Sequence, residues 1–265
     1  MYEVAYHRPA NLAEAVTMLK ETEGRPLSGG QTLLGAMKLR LAQPGTLVDL
    51  GGLAELRGIR REGDTLVIGA GMRHAEVAAS DVVRQSIPAL ARLAGGIGDR
   101  QVRNMGTIGG SVANNDPAAC YPSAVLALDG VVETTERKIA AADFFTGMYE
   151  TALGPVELVT AVRFAIPKRA AYVKFEQQAS RFAVVGVFVA DGASGIRVTV
   201  TGAAGAVFRC QPLEEALTKS FTPAAARAVS IAADDLNSDL HANAEYRAHL
   251  IPVMAARAVE QALAG

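Results

Sequence analysis

Tryptophan is absent from this chain of 265 residues, and only two cysteines and four histidines occur in it. Cys120 and Cys210 lie in no C-x-x-C pattern, so by themselves they supply neither an iron–sulfur cluster nor a structural zinc site, and buried thiols are expected. His7, His74, His241 and His249 are each isolated from Cys, Asp or Glu at ligand spacing, which argues against a metal site. An excess of one charge is missing too. Against 27 acidic residues stand 26 basic ones, with no block of like charge to track a nucleic-acid backbone or an anionic membrane, so neither partner is expected. No run approaches the roughly 18 apolar residues needed to span a bilayer. The start, Met1-Tyr2-Glu3-Val4, has neither the basic nor the apolar part of a signal peptide. A cytoplasmic protein is expected.

The usual nucleotide and nucleophile fingerprints are lacking as well. There is no G-x-G-x-x-G opening a βαβ unit, no G-x-x-x-x-G-K-[ST] and no G-x-S-x-G elbow, which disfavours a Rossmann domain, a P-loop and a serine hydrolase. What the chain does have is two glycine-rich stretches. Ser28-Gly29-Gly30-Gln31-Thr32 follows a short extended run and opens an amphipathic segment carrying Leu33, Leu34, Met37 and Leu41. Gly106-Thr107-Ile108-Gly109-Gly110-Ser111 is followed by Asn114-Asn115-Asp116-Pro117. Glycines that turn tightly and leave backbone N–H groups uncovered suit an anion, and a helix N-terminus adds a favourable dipole. For an isolated Gly-Gly a plain turn is the better explanation, since the pair is first of all turn punctuation. Two such loops together point to one ligand bearing a diphosphate.

Half of the residues are hydrophobic, enough for one large or two to three small cores. In order, Tyr2 to Tyr6 reads as a strand, Asn11 with Glu14 as a capping box, and Arg25 to Ser28 as a second strand. A helix over Leu33 to Leu41, stopped by Pro44, precedes a third strand over Thr46 to Leu50. A hairpin turned at Glu62-Gly63-Asp64 follows, then helices through Ala75 to Ala79, Pro88 to Leu93 and Pro117 to Leu128. Val131 to Thr134 and Leu158 to Ile166 read as strands. Phe144 and Phe145 between them read as core packing rather than a ligand platform. Past Pro167 come three antiparallel strands, Tyr172 to Glu176, Ala183 to Ala190 and Ile196 to Gly202, the last alternating Ile196, Val198, Val200 with Arg197, Thr199, Thr201. Helices over Leu213 to Thr218, Pro223 to Leu236 and Glu245 to Leu263 complete the chain.

Leu27 to Leu33 (L-S-G-G-Q-T-L), Met37-Lys38-Leu39-Arg40, Gly106 to Pro122 (G-T-I-G-G-S-V-A-N-N-D-P-A-A-C-Y-P) and Tyr172-Val173-Lys174-Phe175 together carry a resemblance. The chain resembles the FAD-binding medium subunit of the molybdenum hydroxylases, the xanthine dehydrogenase and carbon monoxide dehydrogenase family. The match is collinear from Tyr2 to the C-terminus. It implies an α+β chain of the vanillyl-alcohol-oxidase-like FAD-binding fold: two α+β subdomains, here 1–55 and 56–167, then a three-stranded antiparallel sheet with a helical bundle, 168–265.

The same resemblance implies FAD as cofactor, held by Leu27, Ser28, Gly29, Gly30, Gln31, Thr32 and Leu33 on one side. Thr107, Ile108, Gly109, Gly110 and Ser111 would face them, with Asp116, Val159 and Lys174 as further contacts. Val159 would act through its main chain. Asp116 is as readily a turn initiator before Pro117 as an acceptor for ribityl or ribose hydroxyls. Where covalent relatives of the wider flavin fold carry His after the first-loop glycines, Gln31 stands, so attachment is expected to be non-covalent. Many relatives read D-P-A-A-D where this chain has Cys120, which removes a carboxylate from the cofactor's surroundings.

Molybdopterin and 2Fe-2S centres are implied on separate large and small partner subunits, commonly in a dimer of heterotrimers. This chain would carry electrons, with no catalytic acid, base and nucleophile set of its own. A self-contained flavin oxidase or reductase using Tyr149 or Tyr172, and a scaffold that has lost FAD, are the competing readings.

Overall fold

The computed structural model describes residues 2–265. The first unit contains β1 (Ala5–His7), α1 (Leu12–Thr22), β2 (Arg25–Leu27), α2 (Leu33–Lys38) and β3 (Thr46–Asp49). Its three strands run parallel in the order β1-β3-β2, so each crossover needs a helix. Asn11 caps α1 by accepting from Glu14 N, and Glu14 in turn takes Ala10 N. The α2 helix is shorter than the apolar pattern predicts. Arg40 adopts φ 60° and Leu41 N turns back to Ala36 O, so a left-handed C-terminal motif ends the helix before Pro44 is reached. Leu39 and Leu41 are consequently exposed.

A short 3₁₀ turn (Ala54–Leu56) leads into β4 (Ile59–Glu62) and β5 (Thr65–Gly69). Five helices follow: α3 (His74–Ala79), α4 (Asp81–Ser86), α5 (Pro88–Gly95), α6 (Arg100–Met105) and α7 (Ile108–Asn114). Then come α8 (Tyr121–Ala127), β6 (Val131–Thr134), β7 (Lys138–Ala140), α9 (Ala141–Phe144), β8 (Phe145–Gly147), β9 (Glu150–Thr151) and β10 (Val159–Ala165). The antiparallel sheet β4-β5-β10-β6-β7 joins both ends of this stretch. The helix expected from Pro117 starts only at Tyr121, because Asp116 Oδ1 accepts from Ala118 N and holds an Asx turn. Phe144 is fully buried and Phe145 packs edge-on against it, their centroids 5.1 Å apart.

The last third holds β11 (Arg169–Glu176), β12 (Ala183–Gly192), β13 (Gly195–Thr201) and β14 (Phe208–Arg209) in one antiparallel sheet, so a two-residue strand joins the three expected. α10 (Gln211–Lys219), α11 (Pro223–Arg227) and α12 (Ala244–Ala264) cover it. The helix expected to run to Leu236 stops at Arg227. Beyond it Asp, Asn and Ser take local hydrogen bonds instead: Asp239 Oδ1 accepts from His241 N and Ala242 N, and Asn243 caps α12.

The apolar run in β12 has a physical reason. Phe188 and Ala190 face one hydrophobic core with α5, α7 and α8, whereas Val185, Val187 and Val189 face a second core with α12. A strand buried on both faces needs no polar alternation. The alternation in β13 is misleading for the same reason: Thr199 and Thr201 are buried, and Thr199 Oγ1 donates to Ser123 O of α8. On the other face Arg247 of α12, 2% exposed, donates to Val184 O (2.6 Å), Gly202 O (2.7 Å) and Asp239 Oδ2 (2.6 Å). Arg247→Met should strand two buried carbonyls and lower unfolding free energy by about 2–4 kcal/mol, read from urea denaturation. A loss below about 0.5 kcal/mol would show that water replaces the guanidinium there.

Candidate functional site

Parallel pairing of β2 with β3 delivers the first glycine loop to one end of the small sheet, Leu50 N returning to Leu27 O (2.8 Å). The second loop reaches the same place from the other sheet. Gly109 N donates to Ala70 O, and Ala70 N donates to Thr160 O of β10, so the loop hangs on the sheet edge. The two loops touch. Ser28 Oγ lies 2.9 Å from Thr107 Oγ1, and Gly29 is packed so closely that a Cβ there would sit 2.5 Å from Met105 O and 2.6 Å from Gly106 Cα. Gly30 takes φ +68°, which turns the chain into α2.

Among the described residues, no protein acceptor engages the backbone N–H of Gly29, Gly30, Gln31, Thr32 or Leu33. Thr32, at the start of α2, makes no side-chain cap, so its hydroxyl is uncommitted as well. Gln31 Nε2 folds back to Gly29 O (3.3 Å). Five N–H groups in succession, with no Lys or Arg inside the loop, form a neutral cradle of donors for an anion.

The second loop is different, and the expectation that it also presents free N–H groups needs correction. Ile108 N donates to Met72 O, Gly109 N to Ala70 O, Gly110 N to Thr107 Oγ1 and Ser111 N to Thr107 O. Ile108 to Ser111 form the first turn of α7, capped by Thr107, rather than an open loop. Gly109 is glycine because Ala70 is against it: an added Cβ would lie 2.5 Å from the Ala70 Cβ. At six and seven residues, α2 and α7 are too short for much of a dipole, so an anion held here would depend chiefly on the first loop's uncommitted N–H groups.

The remaining sequence candidates make contacts outside the two loops. Asp116 splits its carboxylate between Ala118 N and the Tyr149 hydroxyl (3.3 Å), so it is a turn former with one oxygen still partly open. Val159 begins β10 next to Thr160 and is buried. Lys174, its side chain 9% exposed, donates to Gly96 O (2.9 Å) and Arg181 O (2.5 Å), 3.6 Å from Glu176 and 3.9 Å from Cys120 Sγ. Its ammonium is thus occupied in bracing the turn before α6. Burial pushes the Cys120 thiol up, only partly opposed by the Lys174 charge, and it stays protonated.

Three residues not singled out from the sequence shape the site. Arg103 donates to Ile97 O and Gly98 O from the other side of that turn. Asn115, fully buried with φ 43°, pins the β8–β9 hairpin through Gly147 O and Glu150 O. His74 lies behind the second loop, where its Nε2 would be 2.5 Å from a Cβ at position 106. Burial, with the Arg103 charge nearby, lowers its pKa to about 4. Although Asn115 lies within the Gly106 to Pro122 block, the role of each is recognisable only when the partner backbone is in place.

Residues 2–168 match the FAD binding domain in molybdopterin dehydrogenase. The chain belongs to this family. It is 36% identical to the carbon monoxide dehydrogenase medium chain of Afipia carboxidovorans, covering 98% of this chain and 96% of that one. It is 35% identical to the nicotine 6-hydroxylase medium subunit of Paenarthrobacter nicotinovorans, with 98% and 97% covered. The solved carbon monoxide dehydrogenase of Hydrogenophaga pseudoflava contains a chain that superposes with TM-score 0.91 at 35% identity, over 99% of this chain and 98% of that one. This is an oxidoreductase subunit of the molybdenum hydroxylase class, an FAD-binding medium subunit of α+β fold.

Two outcomes test the junction. Gly29→Ala drives a methyl into backbone that cannot move aside, so FAD content of the purified protein, read as the 450-to-280 nm ratio, should fall at least tenfold, with about 1–3 kcal/mol lost from stability. Full flavin content in that variant would break the link between loop contact and binding. His74 is neutral when folded, so the unfolded chain binds more protons below pH 6.5. Stability from His74 is therefore present above its unfolded pKa and lost as pH falls from about 6.5 to about 4, a swing on the order of 3 kcal/mol. Subtracting His74→Gln from wild type in denaturant titrations across that range should isolate this slope. Parallel curves would place His74 in contact with solvent.

Proposed function

We propose that this chain is the electron-transfer subunit of a three-subunit molybdenum hydroxylase. A molybdopterin-binding large subunit would hydroxylate the substrate, a 2Fe-2S small subunit would relay electrons, and this chain would deliver them through FAD to an external acceptor. The assembly would be a dimer of heterotrimers in the cytoplasm. Among the described residues no helix is long and apolar enough to cross a membrane. The units at 1–55 and 56–167 would clamp FAD, and 168–265 would serve packing and subunit docking.

The observation that carries this reading is the row of uncommitted N–H groups from Gly29 to Leu33, which begins beside the Ser28–Thr107 hydroxyl contact that joins the two loops. A flavin diphosphate matches that row in charge and in acceptor number. Leu27, Ser28, Gly29, Gly30, Gln31, Thr32 and Leu33 would hold the phosphates. Thr107 and Ser111 would add hydroxyls, while Ile108, Gly109 and Gly110 would set the distance between the walls. Asp116 would take a sugar or ribityl hydroxyl, Val159 would border the cofactor through its main chain, and Lys174 would fix the neighbouring turn. With Gln31 hydrogen-bonded to Gly29 and no His in the loop, attachment would be non-covalent. When bound, FAD supplies a centre that accepts electrons singly and releases them in pairs.

Two side chains bear on the rival reading of a self-contained oxidase. Tyr172 is half-buried with its hydroxyl enclosed, and its pKa is raised well above the ordinary phenol value, first by burial and then by Cys120. Tyr149 is pushed up too, by burial and then by the Asp116 charge. Neither phenol is poised to exchange a proton near neutral pH.

Acid precipitation of the purified protein, followed by chromatography of the supernatant, tests the cofactor chemistry: FAD should be released intact, and flavin retained in the pellet would overturn the assignment at Gln31. Purification from its source should bring down subunits containing molybdenum and iron–sulfur. A chain that turns over a substrate alone, with no partner added, would favour the oxidase.

A further inference from the structure

Outside the glycine-loop junction, one cavity of about 270 Å³ lies between α3 and α6. Its shape follows from two helical faces with i, i+3, i+4 spacing. Ala75, Ala78 and Ala79 of α3 supply only methyl groups and leave the space open, while Arg100, Arg103 and Asn104 of α6 line it from the opposite side. Arg84 of α4 closes one end. None of the residues of either glycine loop lines it.

The electrostatics are unusual for a surface cleft. Three guanidinium groups border the same space and no carboxylate lines it. Arg103 is anchored by the carbonyls of Ile97 and Gly98 (3.0 and 2.8 Å) and Arg84 by Ala78 O (3.2 Å), so two of the three are held in place by backbone. Asp81, the acid beside Arg84, is 3.4 Å from it with its own side chain 82% exposed. Arg100 makes no ion pair or side-chain hydrogen bond among the described residues. Two pre-positioned guanidinium groups, one uncommitted one and an amide form a donor set that suits phosphate oxygens, since Arg forks match them bidentately. The alanine floor lets a ligand approach without displacing a side chain. At about 30 Å³ per water, the volume equals roughly nine waters, enough for a diphosphate or a small phosphate ester.

We propose that the α3–α6 cleft is a second anion site that binds the phosphate groups of a soluble ligand, separate from the FAD diphosphate site. Because α6 ends at Met105, whose carbonyl lies against Gly29, occupation of the cleft would bear directly on the segment that carries the second glycine loop.

The probe is inorganic pyrophosphate titrated calorimetrically into the FAD-loaded protein at low salt. One saturable site per chain is expected. It should weaken at least tenfold in Arg100→Ala, and little in Arg61→Ala, which removes an equally exposed charge from the β4–β5 hairpin. The flavin absorption and the far-ultraviolet dichroism of Arg100→Ala should match wild type. Absence of saturable binding, or equal weakening by both substitutions, would overturn the proposal. So would binding confined to flavin-stripped protein, which would place pyrophosphate in the cofactor's own site. Gly29→Ala should lose FAD and keep pyrophosphate binding, and loss of both together would overturn the separateness of the two sites.

Discussion

The structure depends on one close approach, that of Gly29 to the backbone of Met105 and Gly106, closed by the hydroxyl pair of Ser28 and Thr107. The first loop follows the parallel sheet and the second hangs on the edge of the antiparallel one, and the two sheets meet through this contact. A side chain at position 29 would hold them apart. The contact also divides the labour between the loops. The first spends none of its N–H groups from Gly29 to Leu33 on protein, whereas the second spends those of Ile108 to Ser111 on its own helix and on the strand behind it. One loop is a donor surface and the other is the wall that positions it.

That wall is braced from behind. The turn from Gly96 to Gly98, which leads into α6 and so into the second loop, is held by Lys174 on one side and Arg103 on the other, both through backbone carbonyls. Lys174 comes from β11, whose neighbour β12 lies between the two hydrophobic cores. Buried hydrogen bonds of a charged donor to carbonyls contribute more than neutral ones, because the carbonyls would otherwise be left unsatisfied. The C-terminal sheet is therefore tied to the turn before α6 through Lys174, and to α8 and the segment before it through Thr199 and Gly202.

Much of this was legible in the sequence, and the exceptions share a cause. The glycine loops, the parallel first unit, the Asn11 cap, the β12–β13 hairpin and the C-terminal helix all rest on local signals: turn residues, caps and periodicity. What failed depends on long-range partners. β13 alternates apolar with Thr and Arg as a half-exposed strand should, yet Thr199 is buried because Ser123 O accepts its hydroxyl proton. The second loop reads as open because its glycines are visible and Ala70, which makes Gly109 necessary, is not. The helix expected beyond Arg227 gives way to turns, Val229 N closing on Ala226 O and Asn237 N donating to Ala203 O of the loop after β13.

Cys120 shows how far such a local departure can reach. Its thiol lies 3.9 Å from the Lys174 ammonium, so a carboxylate in its place would meet that charge directly. With a neutral thiol there, Lys174 keeps Glu176 as its only ion-pair partner among the described residues, at 3.6 Å and half exposed, and turns its donors to Gly96 and Arg181. A carboxylate would compete for those donors, and a buried ion pair would gain Coulomb energy only after losing hydration at both groups. The thiol avoids that exchange, being small, apolar and held protonated by its burial. The local charge thus shifts from a buried acid to a lysine committed to backbone.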